Sequence, residues 1–375
     1  MNIGIPNESL KNENRVSLTP SAVANLVSLG NTVYVESKAG MAARFSDESY
    51  SNAGSAVVYS KEEVYRRCEL VCAVAPPSIE ETAMMEGGQT SFSFLNLPVA
   101  RRQFVEEITS RKITTVGYEL VETEDGDRPV LHSMSEIAGQ VTIFVAAQYL
   151  ETGDDGRGII LGGIAGVAPA AVVIIGAGVV GTEAARTAVG LGAQVIVLDT
   201  DLGRLRLVDR LLLKRVTTAL ATPVNIRKSV AYADVLIGAV FIKGERAPHV
   251  VTEEMVKSMK PGAVVIDVSI DQGGCIATSR PTTLQNPSFV YHDVVHYCVP
   301  NITATVARTA TYALTNTILP FVVEIAAKGA SRAFGENRGL ARGVCSFDGH
   351  CTQEMAKNIF GKEFVPLSAL LDAGS

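Results

Sequence analysis

Short apolar runs alternate with longer amphipathic segments along roughly the first 130 residues of the chain. The run that begins at Asn2 predicts a short buried strand, and the segment from Thr19 to Gly30 predicts a helix. Thr19 is a typical N-cap, Pro20 suits the first helical position, and Gly30 is a typical helix terminator. Further apolar runs predict strands at residues 31–36, 69–74, 91–95 and 114–118. Strands that alternate with helices indicate a parallel sheet.

A second series of strands and helices extends from about residue 172 to residue 299. Its apolar runs predict strands at residues 172–175, 194–198, 235–239, 263–268 and 289–292. The segment that starts at Met134 predicts a long helix. The segment from Ile302 to Ala327 is apolar nearly all round, which predicts a buried helix. The pattern therefore predicts an α/β protein with two parallel-sheet domains.

The composition agrees with this fold and disfavours several functions. The 375 residues suffice for two domains, and 47% apolar residues can cover parallel strands on both faces. The formal net charge of −6, without a long basic run, argues against a nucleic-acid partner. We expect no signal peptide, because no basic flank precedes an apolar core. We also expect no membrane span, since the most apolar stretch, residues 158–181, is interrupted by seven glycines and Pro169.

The side chains that bind metal ions in other proteins are scattered along this chain. The six cysteines form no pair or cluster with zinc-ligand spacing. His292 and His296 are four residues apart, but no third ligand is placed beside them, so structural roles are favoured. We therefore predict no metal site, and reduced thiols in a cytoplasmic protein.

The most informative motif is a glycine-rich segment from Gly176 to Gly181, in which Val179 and Val180 follow Gly178. It comes after four apolar residues and opens a predicted helix, which is the context of a dinucleotide-binding turn. The first glycine permits a tight turn, the second lets a pyrophosphate approach the backbone, and the third lets helix and strand pack closely. The start of the helix offers N–H groups and a positive dipole end to the phosphates.

An acidic residue completes this motif. Asp199 ends the next predicted strand, where a carboxylate accepts hydrogen bonds from the adenosine ribose and repels a 2′-phosphate. The sequence therefore favours NAD over NADP as the cofactor. Arg204 could stack on adenine or reach a phosphate. Ala239 and Val240 follow a later strand, where the nicotinamide ribose usually contacts this fold.

Several further motifs extend nearly from end to end of the chain, and the most specific of them is Asp271-Gln-Gly-Gly. The others are Gly4-Ile-Pro-Asn-Glu, Glu13-Asn-Arg15-Val-Ser-Leu-Thr-Pro20, Met134-Ser-Glu-Ile-Ala-Gly139, Lys260-Pro-Gly-Ala-Val264, Ser279-Arg-Pro-Thr-Thr and Thr311-Tyr-Ala-Leu-Thr-Asn316. Together with Gly176–Gly181, they resemble the superfamily of alanine dehydrogenase and the transhydrogenase α-subunit, on the alanine dehydrogenase side.

The resemblance implies a fold and an assembly. It implies two Rossmann-like domains, each a doubly wound parallel sheet, with the active site in an interdomain cleft. A catalytic domain would comprise residues 1–132 and 305–375, with an NAD-binding domain at residues 133–304 inserted between its parts. Such relatives are NAD-linked amino-acid dehydrogenases and usually hexamers, so we expect a homo-oligomer with a small amino or imino acid as substrate.

The resemblance also implies roles for individual residues. Arg15 would bind the substrate carboxylate through a bidentate pair. Asp271 would lie beside the reacting amine or carbonyl, as the main candidate for proton transfer. Ser135 would line the cleft near the nicotinamide, and Asn301 would lie in the loop beside it. His132 and Glu119 are further candidates for proton transfer.

Two departures from the family pattern concern its chemistry. Where the family reads Lys-Val-Lys-Glu-Pro, the chain has Ala73-Val-Ala75-Pro-Pro, and where it reads Leu-His-Leu, the chain has Asn96. In the family the second of these lysines polarises the substrate carbonyl and the histidine acts as acid and base. Acid–base help of that kind is worth about 10²–10⁴-fold, so ordinary alanine dehydrogenation should be severely impaired. Asn96 could instead contact the substrate in the enlarged pocket.

Three functions are compatible with this combination. The first is NAD(H)-dependent oxidoreduction of an amino or imino acid other than, or larger than, alanine, because a preformed imine needs only one proton and one hydride. The second is a non-redox reaction that regenerates NAD within one cycle, as in a cyclodeaminase or another lyase. The third is NAD binding without catalysis. We favour the first, because the glycine-rich motif and Asp271 are both retained.

Overall fold

The computed structural model describes residues 1–8, 12–243 and 245–373. The chain divides into two compact units, the first Met1–Met134 together with Ala304–Ser375 and the second Ser135–Thr303. The predicted α/β fold class is confirmed in each unit, with antiparallel strands added at one edge of each sheet.

The first unit contains an eight-stranded sheet in the order β15-β14-β6-β5-β4-β1-β2-β3. Six of these strands, β1 to β6, are parallel, and their order 3-2-1-4-5-6 is the Rossmann order. The strands are β1 (Asn2–Ile5), β2 (Thr32–Glu36), β3 (Ala56–Val58), β4 (Leu70–Cys72), β5 (Thr90–Ser93), β6 (Thr114–Gly117), β14 (Val344–Phe347) and β15 (His350–Cys351). The helices are α1 (Pro20–Ser28), α2 (Asp47–Asn52), α3 (Lys61–Arg67), α4 (Ile79–Met84), α5 (Arg102–Ser110), α11 (Ala307–Lys328), α12 (Ala330–Glu336), α13 (Arg338–Gly343), α14 (Met355–Phe360) and α15 (Leu367–Ala373).

The second unit contains a seven-stranded sheet in the order β12-β13-β11-β10-β7-β8-β9. The strands are β7 (Ala171–Ile175), β8 (Gln194–Asp199), β9 (Thr217–Leu220), β10 (Val235–Gly238), β11 (Val264–Asp267), β12 (Ser288–Tyr291) and β13 (Val294–Tyr297). The helices are α7 (Val179–Gly190), α8 (Leu202–Leu211), α9 (Pro223–Tyr232) and α10 (Glu253–Lys257). The strand order reverses between β7 and β10, so this sheet has its ligand-binding switch point there.

The antiparallel edges were not predicted from the sequence. The apolar run at residues 289–292 belongs to β12, the outer arm of a hairpin, and the parallel strand that completes the sheet is β13. His292 and Asp293 connect the two arms with φ of 51° and 57°. Two consecutive left-handed residues are typical of the tight turns that join antiparallel strands. The C-terminal hairpin β14–β15 turns in the same way at Asp348 and Gly349.

Two long helices differ from their predictions in detail. The first, α6 (Pro129–Tyr149), begins at Pro129 rather than at Met134, and the boundary between the units falls inside it. In α11 one stripe is buried, while Tyr312 is 41% exposed, so the predicted buried helix is buried on one side. By length and composition alone, α6 and the segment Ile302–Lys328 could cross a membrane, but core helices of soluble proteins pass the same test.

His296 is a buried histidine of the second unit, and its surroundings affect how the unfolding free energy depends on pH. Its ring is buried in β13, with Nδ1 2.9 Å from the Val294 carbonyl oxygen and Nε2 2.8 Å from the Thr278 hydroxyl. Because a carbonyl oxygen can only accept, Nδ1 carries a proton. Burial lowers the pKa of His296 below its ordinary value of 6.5.

We therefore expect the unfolding free energy to fall as the pH drops below 6.5, because only the unfolded chain then binds the proton on residue 296. His296→Gln should flatten this slope, measured by thermal unfolding between pH 5 and pH 8. Exposed His249 gives the matched control, His249→Gln, which should keep the slope of the unmodified protein. An unchanged slope in His296→Gln would contradict the assignment.

Candidate functional site

The glycine-rich turn between β7 and α7 has the geometry that a bound pyrophosphate requires. Gly176 has φ +108°, and a Cβ there would overlap the backbone of Ala239. A Cβ on Gly181 would overlap the Gly176 carbonyl group, so helix and turn pack backbone against backbone. A Cβ on Gly178 would meet no described atom within 4 Å. Gly178 therefore faces open space, where a phosphate can approach the backbone.

The N-terminus of α7 is available to an anion. Gly178 is the N-cap, and no side chain in the described part of the chain caps this helix. The N–H groups of Val179 and Val180 are among the first in the helix, which have no intrahelical partner. These donors and the positive end of the helix dipole stabilise a bound phosphate.

Asp199 lies at the end of β8 and is fixed by the backbone. One carboxylate oxygen accepts the Ala177 N–H at 2.7 Å, and the other accepts the Asp201 N–H at 2.8 Å. The exposed Arg204 approaches Asp199 and Asp201 at 3.9 Å each. The carboxylate is thus held beside the glycine-rich turn, as a ribose-binding acid requires.

The end of β10 lies directly beside the glycine-rich turn. The Ala239 N–H donates to the Ile175 carbonyl oxygen at 2.8 Å, and the Val240 N–H donates to the Ser269 hydroxyl at 2.9 Å. Both residues follow the strand that adjoins β7 across the switch point. The structure thus brings Ala239 and Val240 to the edge of the sheet where dinucleotides bind.

Ser135 lies in α6, which packs on α7 at Gly139. A Cβ on Gly139 would lie 2.5 Å from the Val180 carbonyl oxygen, so the two helices touch at Gly139. Residues four apart on a helix share a face, which puts Ser135 one turn before this contact on the same side of α6. The close approach of α6 and α7 therefore explains why residue 139, the last of the Met134–Gly139 motif, is a glycine.

Asp271 and Asn301 are brought together although they are distant in the sequence. The Asn301 N–H donates to Asp271 Oδ1 at 3.2 Å. Asp271 lies in a short 3-10 helix, Val268–Gln272, directly after β11. Asp267 holds this loop by accepting the N–H groups of Ser269 and Cys275 at 3.1 Å and 2.9 Å, and burial raises its pKa.

Arg15 belongs to the first unit and is 4% exposed. Its Nε donates to Glu13 Oε1 at 2.8 Å, and its Nη2 donates to Glu13 Oε2 at 2.7 Å. Nη1 lies 3.6 Å from the Met134 sulfur, and the guanidinium carbon is 5.7 Å from the centre of the Phe94 ring. Glu13 therefore binds the edge of the guanidinium that Nε and Nη2 form.

Two threonines of α11 hold the segment that carries Arg15. The Val16 N–H donates to the Thr311 hydroxyl and the Thr19 N–H to the Thr315 hydroxyl, each at 3.1 Å. The Ser17 hydroxyl donates to the Cys72 carbonyl oxygen at 2.6 Å, which joins this segment to the end of β4. These roles were not predicted from the sequence, where the pattern shows only that two threonines share one face of an apolar helix.

Ala75 and Asn96 follow the ends of β4 and β5, which are neighbouring parallel strands. Ala75 is half-buried, and Asn96 has left-handed backbone angles, φ 46° and ψ 47°. Phe94, which lies over Arg15, immediately precedes this turn. Both positions are therefore at the carboxyl edge of the first sheet, with the Arg15 segment beside them.

The two further candidates for proton transfer have different surroundings. Glu119 is buried, and its carboxylate accepts backbone N–H groups of Leu95 and Asn96. Exposed His132 has its Nδ1 3.5 Å from the Asp127 carboxylate. Residues two apart on a helix point about 200° apart, so His132 and the Arg15-contacting Met134 lie on different sides of α6.

The fold and the turn at Gly176 define a nicotinamide-dinucleotide-binding α/β protein, and comparisons with known proteins identify the family. The profile "Alanine dehydrogenase/PNT, N-terminal domain" matches residues 4–138, and the corresponding C-terminal profile matches residues 142–354. An alanine dehydrogenase of Methanococcus maripaludis is 43% identical over 373 residues, 99% of this chain and 100% of that protein. One of Bacillus subtilis is 43% identical over 377 residues, 100% of this chain and 99% of that protein.

Solved structures agree with this relationship. A structure described as L-alanine dehydrogenase has a TM-score of 0.90 and 41% identity, and the match covers 96% of this chain and 99% of that one. A transhydrogenase from Sinorhizobium meliloti has a TM-score of 0.79 at 23% identity and shares the fold. The chain belongs to the alanine dehydrogenase/PNT family, a family of NAD-dependent oxidoreductases, and NAD is its cofactor.

Proposed function

We propose that the protein is an NAD(H)-dependent oxidoreductase that acts on an amino or imino acid other than, or larger than, alanine, with hydride transfer at the α-carbon. The observation that carries this proposal is the combination of an intact NAD turn with Ala75 and Asn96 at two strand ends beside Arg15. On this proposal the chain lacks the lysine and histidine that the family uses to hydrolyse the imine, and keeps the groups that serve hydride transfer.

We assign substrate binding and proton transfer to individual residues of the chain. Bound NAD supplies a hydride acceptor for the Cα–H bond, and NADH supplies the hydride in the reverse direction. Arg15 would bind the substrate carboxylate through a bidentate pair. Asp271 would take a proton from the substrate nitrogen during oxidation and return it to an imine during reduction. Asn96 would contact the substrate side chain.

Alanine itself is the competing substrate, since the relatives at 43% identity are named alanine dehydrogenases. Two further functions compete with the proposal, a lyase or cyclodeaminase that regenerates NAD within one cycle and an NAD-binding protein without catalysis. We further propose a cytoplasmic homo-hexamer, with residues 1–132 and 305–375 binding substrate and residues 133–304 binding NAD.

A screen of amino acids and cyclic imines would test this proposal. NADH absorbance would be followed for each compound, and mass spectrometry would identify the products. We expect NADH oxidation with a preformed imine and little NAD reduction with alanine. Ordinary rates with alanine would contradict the proposal, product without a net change in NADH would support the lyase, and NAD binding without any product would support the protein without catalysis.

A further inference from the structure

Two buried glutamates contact the backbone at the ends of neighbouring strands of the first unit. We propose that Glu8 and Glu119 are positioning residues, which fix the backbone of residues 75 and 96 independently of the side chains carried there. This inference rests on the proposed function only in assuming that these two positions face the substrate. Neither glutamate is proposed to touch the substrate.

Glu8 holds the end of β4. It is 3% exposed, and its two carboxylate oxygens accept separate N–H groups, from Val74 at 2.6 Å and from Ala75 at 2.8 Å. The preceding residue, Ala73, still donates to the neighbouring strand at the Phe92 carbonyl oxygen. Glu8 therefore accepts the two N–H groups that follow the Ala73 N–H at this strand end.

Glu119 holds the end of β5 in a corresponding way. It is 8% exposed and accepts the Asn96 N–H at 2.7 Å and the Leu95 N–H at 3.2 Å. The preceding Phe94 still donates to the Val74 carbonyl oxygen of the neighbouring strand end. These contacts stabilise the left-handed backbone of Asn96, a conformation that is unfavourable for most residues with a side chain.

Two other buried glutamates of the same unit contact cations. Glu81 receives Lys61 Nζ at 2.7 Å and also accepts the Ser78 N–H at 2.7 Å at the start of α4, and Glu122 receives the guanidinium of Arg342. Both are as buried as Glu8 and Glu119, at 3% and 5% exposed. They therefore provide matched controls, in which the same substitution removes a buried carboxylate but leaves the two strand ends in place.

These bonds fix the directions in which the side chains of residues 75 and 96 leave the backbone. A carboxylate that accepts two consecutive N–H groups fixes both peptide planes, and so the direction of the Cα–Cβ bond. These bonds end on backbone N–H groups, so an exchange of the side chain at residue 75 or 96 leaves the bonding groups in place.

Hydrogen exchange measured on the full chain with NAD bound tests the inference without any substrate. Glu8→Gln should accelerate exchange at residues 74 and 75, and Glu119→Gln at residues 95 and 96, each by about 10–100-fold, the range for losing a hydrogen bond to a charged group. The amides of Ala73 and Phe94 should keep their protection, because strand neighbours accept them. Glu81→Gln and Glu122→Gln should leave all four amides unchanged.

Unchanged exchange at these amides, or equal acceleration across the whole sheet, would overturn the inference. If a Gln variant fails to fold, Glu8→Asp and Glu119→Asp retain the charge on a shorter side chain and should show the same local acceleration, to a smaller degree.

A kinetic measurement gives a second, separate test of Glu119. In the Ala75→Lys/Asn96→His background, Glu119→Gln should lower kcat while the KM for NAD stays constant. Absence of any activity in that background would count against the proposed function, and the exchange result would still decide the roles of Glu8 and Glu119.

Discussion

A chain that carries both Ala75→Lys and Asn96→His should reduce NAD with alanine about 10²–10⁴-fold faster than the unmodified protein, the range of acid–base contributions. On the proposed function, the missing lysine and histidine account for most of the loss of activity with alanine. The measurement is NADH formation at saturating alanine and NAD. Each single variant should gain far less than the pair, because groups that act as one unit contribute non-additively.

The backbone at both positions accepts these side chains. Asn96 is left-handed, and histidine, like asparagine, occurs in that conformation more often than most residues do. Ala75 is half-buried at the sheet edge, so a long side chain can extend outward from it. The N–H groups of both residues are bound to Glu8 and Glu119, and these bonds do not depend on the side chains.

The control for this experiment is a pair of similar size without the same chemistry, Ala75→Met and Asn96→Gln. It should leave alanine turnover at the level of the unmodified protein, and NADH affinity should be equal in all variants because Gly176–Gly181 and Asp199 are untouched. If the unmodified protein already oxidises alanine at the rate of ordinary family members, Ala75 and Asn96 do not limit the reaction, and the proposed change of substrate loses its basis.

The sequence was sufficient to predict those elements that interactions between neighbouring residues determine. Thr19 caps α1 by accepting the Ala22 N–H, and Gly30 follows the helix with φ +84°. The strand, turn and helix around Gly176 also follow from a short motif, in which Gly181 packs on the Gly176 carbonyl group and Gly178 leaves the turn open. Such contacts leave a pattern within a short window of sequence.

The contacts that the sequence did not reveal join distant segments. Thr311 accepts the N–H of Val16 across 295 positions, and Asn301 donates to Asp271 across 30. A threonine in an apolar helix has the same local pattern whether it bonds its own helix or another segment. The antiparallel hairpin of β12 and β13 was missed for a related reason, since a short apolar run does not indicate the direction of its strand.

One added methyl group should have different effects at two glycines of the same motif. At the first it should weaken NADH binding, and at the second it should lower the stability of the fold. Gly178→Ala should leave the unfolding midpoint unchanged and weaken NADH binding by about 10–100-fold, the range for losing hydrogen bonds to a charged group. Gly178 has φ −74° and ψ −166°, which alanine adopts readily, and its Cβ would point into open space. That space is where the pyrophosphate approaches the backbone, so the methyl group displaces the ligand rather than the protein.

Gly181→Ala should instead destabilise the second unit, because its Cβ would overlap the Gly176 carbonyl group and neither backbone can move without disturbing β7 or α7. Overpacking of this kind costs about 1–3 kcal/mol or more, which lowers the unfolding midpoint by several degrees. Exposed Gly190, at the end of the same helix, gives the matched control, since a Cβ there would meet no described atom within 4 Å. Gly190→Ala should preserve both stability and NADH affinity. Wild-type NADH affinity in Gly178→Ala would show that the pyrophosphate does not approach at this turn, and would remove the basis for assigning the cofactor site to it.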